Sequence, residues 1–298
     1  MRLRHPSGRI VHLSYGVSLD HAETPSAALE ALDAAAAELR SRFGTGLLGV
    51  ALRLPYRLAA ALADDGRART RLRAELDAKG LEVVTLSGTP DAEGGGENTD
   101  PLGDWSEIAR VRHTLDLARI LVDLLPFEEV RGAIGTCGLG RADDWDENRQ
   151  KAGARHLSRL SAGLADLAWR VGRAVRCGFQ PGPGRVLDGP EQTVAALTRV
   201  DKDRLGVCLD LPAVVRDWPD PEAGIDRMTD AGLSVITARI TDTAAGWQPV
   251  LRHLLAADTA RTEYVDVDTA GGAADLQHVL AELTALGLVP EQQPCTAP

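Results

Sequence analysis

The 298-residue sequence predicts an α/β chain folded as a single (β/α)8 TIM barrel, and three observations carry that expectation. Eight short runs rich in Val, Ile and Leu recur along the chain, each followed by an Ala-, Leu- and Arg-rich stretch with helical spacing. Strand starts return at intervals of roughly 30 to 50 residues, as a crossover unit with its helix requires. No shift in composition divides the chain, which favours one closed barrel over an open doubly wound sheet, the runner-up.

In chain order, the first unit pairs a strand at Val11–Ser18 with a helix at Ser26–Phe43, and the second pairs Leu47–Leu54 with Arg57–Lys79, which Gly80 closes. A strand at Glu82–Ser87 is followed by a helix at Trp105–Leu125. Arg131–Thr136 leads to Ala152–Val171, and Ala174–Gln180 to Pro190–Val200, a helix opened by Pro190 and Glu191. Leu205–Leu211 precedes Pro221–Ala231, closed by Gly232, while Ser234–Thr241 precedes Gln248–Ala256 and Glu263–Asp268 precedes Ala273–Leu286. Two segments fall outside this rhythm. Pro90–Gly103 (PDAEGGGENTDPLG) lies where a barrel keeps its lids, but its glycines and acids read first as a flexible insertion. The Pro-rich tail from Pro290 to Pro298 reads as disordered, so the barrel domain spans residues 1–289.

Composition narrows the function. At 44% hydrophobic and 26% charged, with 30 Gly and 16 Pro, the chain is neither disordered nor fibrous. It holds no apolar run near the ~18 residues of a membrane helix, and the start, MRLRHPSGRI, has no signal-peptide core, so a cytoplasmic location is expected. A net charge of −10 repels polyanions, which argues against nucleic acid and anionic membranes and leaves a small molecule as the expected partner. Cys137, Cys177, Cys208 and Cys295 lack zinc-knuckle spacing and read as free, mostly buried thiols. GTCGLG (135–140) lacks the spacing and the Lys of a nucleotide loop.

In a parallel barrel the C-terminal strand ends carry the site, and side chains of one parity point inward. In VCLDL, Cys208 and Asp210 share the polar face; in ITARIT, Thr237, Arg239 and Thr241 do; in YVDVD, Asp266 and Asp268 do. GFQ delivers Gln180, VALRL delivers Arg53, VTLSG delivers Ser87, and Asp20 follows the first strand. Carboxylates and guanidinium groups confined in one cleft pair with and shift one another, as acid–base chemistry or an anionic or polyhydroxylated ligand requires. Singly, each charge reads equally as a structural ion pair. Asp210 is the most telling, because a carboxylate within an apolar strand needs a partner.

The blocks HLSYGVSLDHAET (12–24), RVRHTLDLARILVDLLP (110–126), RGAIGTCGLG (131–140), FQPGPGRVLDGPEQTVAAL (179–197), LGVCLDLPAVV (205–215) and AGLSVITARIT (231–241) together resemble the EboE-type metabolite traffic proteins, within the xylose isomerase-like TIM barrels. The resemblance implies a barrel related to sugar-phosphate isomerases and epimerases, with a divalent metal held by carboxylates and His at the later strands. At those positions this chain departs. It has Gln180-Pro181-Gly182-Pro183 for an acidic run, Asp210 followed by Leu211, Pro212 and Ala213 without a His, Arg239 for a neutral residue, Asp266-Val267 for a His-Gln pair, and Asp20 for a His, with Glu23 and Thr24 kept. His113 and Thr114 stand where the family has Tyr-Thr, so His113 is expected at the mouth, and Thr136 ends the fourth strand near it.

A divalent metal and a permanent guanidinium among its ligands should exclude each other. Arg239 is therefore expected to replace the metal, paired with Asp210 or Asp266 and holding a ligand oxygen, with no cofactor. The leading expectation is a metal-independent enzyme of specialised metabolism acting on a small polar or polyketide-like substrate by isomerisation, epimerisation, cyclisation or dehydration. Asp266 or Asp268 would be acid or base, Asp210 would orient Arg239, and Asp20, Glu23, Arg53, Ser87, His113, Thr136 and Gln180 would bind substrate. The alternatives are a non-catalytic carrier and a metal-dependent sugar isomerase that recruits other ligands, such as His113, His21 or Glu23.

Overall fold

The computed structural model describes residues 1–44, 46–88, 102–257 and 259–291. Its strands are β1 (Arg2–Arg4), β2 (Ile10–Ser18), β3 (Leu48–Leu54), β4 (Leu81–Gly88), β5 (Arg131–Cys137), β6 (Ala174–Gln180), β7 (Leu205–Asp210), β8 (Val235–Ile240), β9 (Tyr264–Val267) and β10 (Val289–Pro290). The helices are α1 (Pro25–Phe43), α2 (Tyr56–Asp64), α3 (Gly66–Ala78), α4 (Ile108–Leu124), α5 (Glu147–Val171), α6 (Pro190–Leu197), α7 (Leu211–Asp217), α8 (Pro221–Asp230), α9 (Gln248–Ala256) and α10 (Ala273–Ala285).

Strands β2 to β9 pair in sequence order, and β9 returns to pair parallel with β2 through His12–Tyr264 to Tyr15–Val267. That closure gives the expected single eight-stranded barrel and sets aside the open sheet. The short β1 pairs antiparallel with β2, and β10 with β1, at the end of the barrel where β2 begins. Pro290 is thus a strand residue and Glu291 bonds Arg2 and Arg4, so these two residues of the expected tail are ordered. Residues 292–298, and 90–101 of the expected insertion, lie outside the described residues.

Local chemistry sets several boundaries that periodicity misplaces. The single helix expected over 57–79 is two, because Asp65 leaves the helical conformation and accepts the Arg67 and Ala68 N–H groups at 2.9 and 3.1 Å, capping α3. Helix α5 begins five residues earlier than periodicity suggests, capped by Asp146 through the Arg149 N–H at 2.8 Å, and ends on Gly172 in the left-handed region. Trp105 precedes α4 instead of opening it. It is fully buried and packs edge-on against Phe179 with centroids 5.1 Å apart.

The core has two layers. Between barrel and helices lie Leu13, Val50, Leu52, Ile134, Phe179, Val207, Leu209, Ile236, Ala238 and Val265, all at most 1% exposed. Inside, Tyr264 is fully buried and stacks on His12 at 5.5 Å, filling the barrel at the level where the strands begin. Nearer the C-terminal ends several inward positions are small, Gly16, Ala51 and Gly135 among them, and they leave room for the cavity described next. Among the described residues no helix is long and apolar enough to cross a membrane.

Candidate functional site

A cavity of about 520 Å³ opens at the C-terminal ends of the strands. It exists because Gly16, Gly88 and Gly135 on its wall carry no side chain, and two of these have no room for one: an added Cβ would lie 2.7 Å from Asp268 Cβ at Gly16 and 2.9 Å from His113 Nε2 at Gly88. We expect Gly16→Ala to destabilise the protein by about 1–3 kcal/mol by pushing Asp268 out of place. Chemical denaturation would measure it, and an unchanged midpoint would mean that Asp268 is not held there.

Charged side chains cross the mouth as an alternating chain. Asp20 Oδ2 accepts Arg53 Nε at 3.0 Å, and Arg53 Nη1 donates to Asp268 Oδ2 at 3.1 Å. The same Asp268 oxygen accepts Arg239 Nη2 at 2.9 Å, and Arg239 Nη1 donates to Gln180 Oε1 at 3.0 Å. Barrel register explains the assembly, since Arg239 is the partner of Asp266 on the neighbouring strand and Cys137 the partner of Gln180. Burial works against the charge on Arg239, but the surrounding Cys208, Asp268, Asp210 and Asp266 outweigh it and raise its pKa. Two of its five N–H donors are committed among the described residues, leaving others for a ligand oxygen.

Asp266 stands apart from this chain. Its Oδ1 accepts Thr85 Oγ1 at 3.0 Å, and the residue is 7% exposed. Burial, opposed by the Thr85 bond and Arg239 and assisted by Asp268, pushes its carboxyl up to about 7. A buried carboxyl poised near neutrality beside a fixed guanidinium is the arrangement of general acid–base catalysis.

Of the expected site residues, Arg53, Ser87, His113, Thr136, Gln180, Arg239, Asp266 and Asp268 all line the cavity, and Asp20 reaches it through Arg53. Two expectations need correction. Both oxygens of Asp210 accept Thr241 Oγ1, at 2.9 and 3.0 Å, so Asp210 does not orient Arg239 directly, and the partners of Arg239 are Asp268 and Gln180 instead of Asp210 or Asp266. Burial nevertheless raises the Asp210 carboxyl. Glu23 is 77% exposed and faces Arg57 at 3.8 Å, outside the mouth. Thr136 lines the cavity although its register partner Phe179 packs beneath the helices, and its neighbour Cys137, which shares the inward parity of Gly135, lines it too.

Other residues of the wall escaped the sequence reading. Thr85 could have been found, being two residues before Ser87 on the same face. Arg110, Arg141, Arg185 and Arg216 could not be found by strand parity, because helices and loops deliver them.

The donors do not fit a divalent cation. Among the described residues no three His, Cys, Asp or Glu side chains converge as metal ligands would. Two oxygens at the cavity mouth, Gln180 Oε1 and Asp268 Oδ2, are both held by Arg239, whose permanent positive charge opposes a cation there.

No family model and no curated protein sequence matches the chain. Solved structures do. A D-tagatose 3-epimerase-like protein superposes with a TM-score of 0.60 at 13% identity, covering 92% of this chain and 98% of its own. An AP endonuclease of family 2 from Brucella melitensis gives 0.61 at 16% identity, covering 91% and 98%. A 3-keto-D-glucoside 4-epimerase from E. coli, in its apo form, gives 0.59 at 13% identity, covering 92% and 99%. At such identities the likeness is one of fold alone, the closed (β/α)8 barrel.

Proposed function

We propose that this chain is a divergent, EboE-like member of the xylose isomerase-like barrels and a metal-independent acid–base enzyme of the isomerase or epimerase type. Its substrate is a small hydroxy-carbonyl compound. The observation that carries the reading is Asp266: a carboxyl titrating near neutrality on the cavity wall, on the strand next to Arg239. The Asp266 carboxylate takes a proton from the carbon next to a carbonyl. The C–H bonding pair becomes the enolate C=C bond, and the carbonyl π pair moves onto oxygen, where Arg239 stabilises the negative charge. A proton passes from the neighbouring hydroxyl oxygen to the former carbonyl oxygen, and Asp266, now a carboxylic acid, returns its proton to the former carbonyl carbon as the new carbonyl forms, so hydroxyketone and hydroxyaldehyde interchange and the enzyme regains its starting state.

Asp268 has a different part. Held between Arg53 and Arg239, it positions the two guanidinium groups. Epimerases among the solved structures of the same fold support the reaction class, and the net charge of −10 disfavours a nucleic-acid substrate such as an endonuclease needs.

The test is proton exchange. A panel of hydroxyketones and hydroxyaldehydes is incubated with the protein in D2O and followed by proton NMR. We expect loss of a C–H signal next to the carbonyl, unchanged after dialysis against EDTA. Exchange that disappears on chelation and returns with Mg²⁺ or Mn²⁺ would overturn metal independence. Panel members that raise the melting temperature without exchanging would instead establish a carrier.

A further inference from the structure

Asp266 is held from across the barrel. Its Oδ1 accepts the hydroxyl of Thr85 at 3.0 Å, although β9 and β4 are not neighbours and β2 and β3 lie between them. The contact runs through the interior, past Ser14 and Gly16 on β2 and Gly49 and Ala51 on β3, which share the inward face. A long side chain at Gly16 or Ala51 would block the path.

The strand that carries Thr85 is irregular at this point. Strands β3 and β4 pair Val50 with Val83 and then Ala51 with Thr85, so Val84 is an extra residue in β4. Without that bulge Val84 would stand beside Ala51 and point inward, while Thr85 and Ser87 would turn to the helices. The bulge thus exchanges a valine for a hydroxyl on the face that looks at Asp266. Thr85 and Asp266 are 3% and 7% exposed, so water competes little for their bond.

A threonine hydroxyl has a single proton to give. Given to Oδ1, it favours the carboxylate over the acid and makes Oδ1 the weaker base. It also fixes a carboxyl torsion that is otherwise broad, so that Oδ2 keeps one direction. Other groups face Asp266 without holding it. Arg239 on β8 bonds Asp268 and Gln180, and Ser14, the register partner of Asp266 on β2, is buried with no hydrogen-bond partner. Cys208 and the Met1 amino group also feel the charge of Asp266. Against the burial that raises the Asp266 carboxyl, the Thr85 bond is the largest opposing influence, ahead of Arg239.

We propose that Thr85 is a positioning residue for the reaction: its hydroxyl occupies Oδ1 of Asp266 and leaves Oδ2 to take and return the substrate proton. The role given to Oδ2 rests on the acid–base reading above. The hold of Thr85 on the carboxyl does not, and it can be measured without a substrate.

The test uses wild type, Thr85→Val and Thr85→Ser, each with and without Asp266→Asn. Valine keeps the shape of threonine and removes the donor, and serine restores it. Urea denaturation between about pH 4 and 9 gives the stability of each protein relative to its Asp266→Asn counterpart. Other titrating groups cancel in that difference, which levels off at the pKa of Asp266. We expect levelling near pH 7 in wild type, about one pH unit higher in Thr85→Val, and near 7 again in Thr85→Ser. On an exchanging substrate the midpoint of the rate profile should move with it, and the rate at high pH should fall about tenfold in Thr85→Val. A merely structural threonine would lower stability by the same amount at every pH. Levelling at one pH in wild type and Thr85→Val, or a Thr85→Ser as displaced as Thr85→Val, would overturn the hold on the carboxyl. A shift in stability with no shift in the exchange midpoint would overturn the positioning role. Should Thr85→Val fail to fold, as judged by circular dichroism, Thr85→Ala carries the comparison. If stability shifts as expected while no panel compound exchanges in D2O, the acid–base reading fails and the hold of Thr85 on Asp266 stands.

Discussion

Replacing Arg239 by Met is expected to lower proton exchange by ~100- to 1000-fold while leaving the barrel folded. Methionine keeps an unbranched apolar side chain for a buried position, so the change removes the guanidinium with limited repacking. Structurally the loss is bounded. Asp268 keeps Arg53 at 3.1 Å, and Gln180 Oε1 loses a donor, which together should cost about 1–3 kcal/mol of stability. Catalytically it is larger, because enolate charge would develop in a site whose fixed positive partner is gone. Arg239→Lys should recover only part of the rate, since one ammonium cannot reproduce the fork that spans Gln180 and Asp268. Rates for the three proteins on one exchanging substrate decide the point. Equal rates in wild type and Arg239→Met would remove Arg239 from the mechanism.

Asp266→Asn is expected to abolish exchange and to change how stability depends on pH. Burial lifts the Asp266 carboxyl from its ordinary value of 3.8 to about 7 in the folded chain. Below pH ~4 the group is neutral in both states and its contribution to stability is at its fullest. Between pH ~4 and ~7 the unfolded chain releases the proton and the folded chain keeps it, so rising pH favours unfolding. Above ~7 the loss is complete, at about 4 kcal/mol for three pK units. Asparagine cannot ionise and is exempt from that loss. The stability difference between variant and wild type should therefore shift by several kcal/mol in favour of the variant as pH rises from 4 to 8, whatever its value at pH 4. Urea denaturation at several pH values measures this, and a pH-independent difference would show that Asp266 titrates normally. The same carboxyl predicts that the exchange rate rises with pH through about 7, because the carboxylate is the base.

The sequence and the structure divide the account of this protein unevenly. Period-two strands, helical stretches and their spacing made the barrel legible, because each strand must bury one face beneath helices, as Val207, Leu209, Ile236 and Ala238 do. The same parity brought Arg53, Gln180, Arg239, Asp266 and Asp268 to the mouth, for a strand's alternation leaves a side chain only two directions. The break at Asp65 and the early start of α5 were missed, since capping bonds outrank apolar periodicity at element ends.

What the sequence by itself determined is the closed barrel and the set of charges at its open end. Which carboxylate meets which guanidinium was decided only by tertiary structure. Side-chain reach across neighbouring strands gave Arg239 to Asp268, Thr241 to Asp210 and Thr85 to Asp266, and burial then separated two acids two residues apart. Asp268 is an anchored ion-pair partner, and Asp266 is a carboxyl near neutrality because its ionisation depends on surroundings that come from parts of the chain far away in sequence.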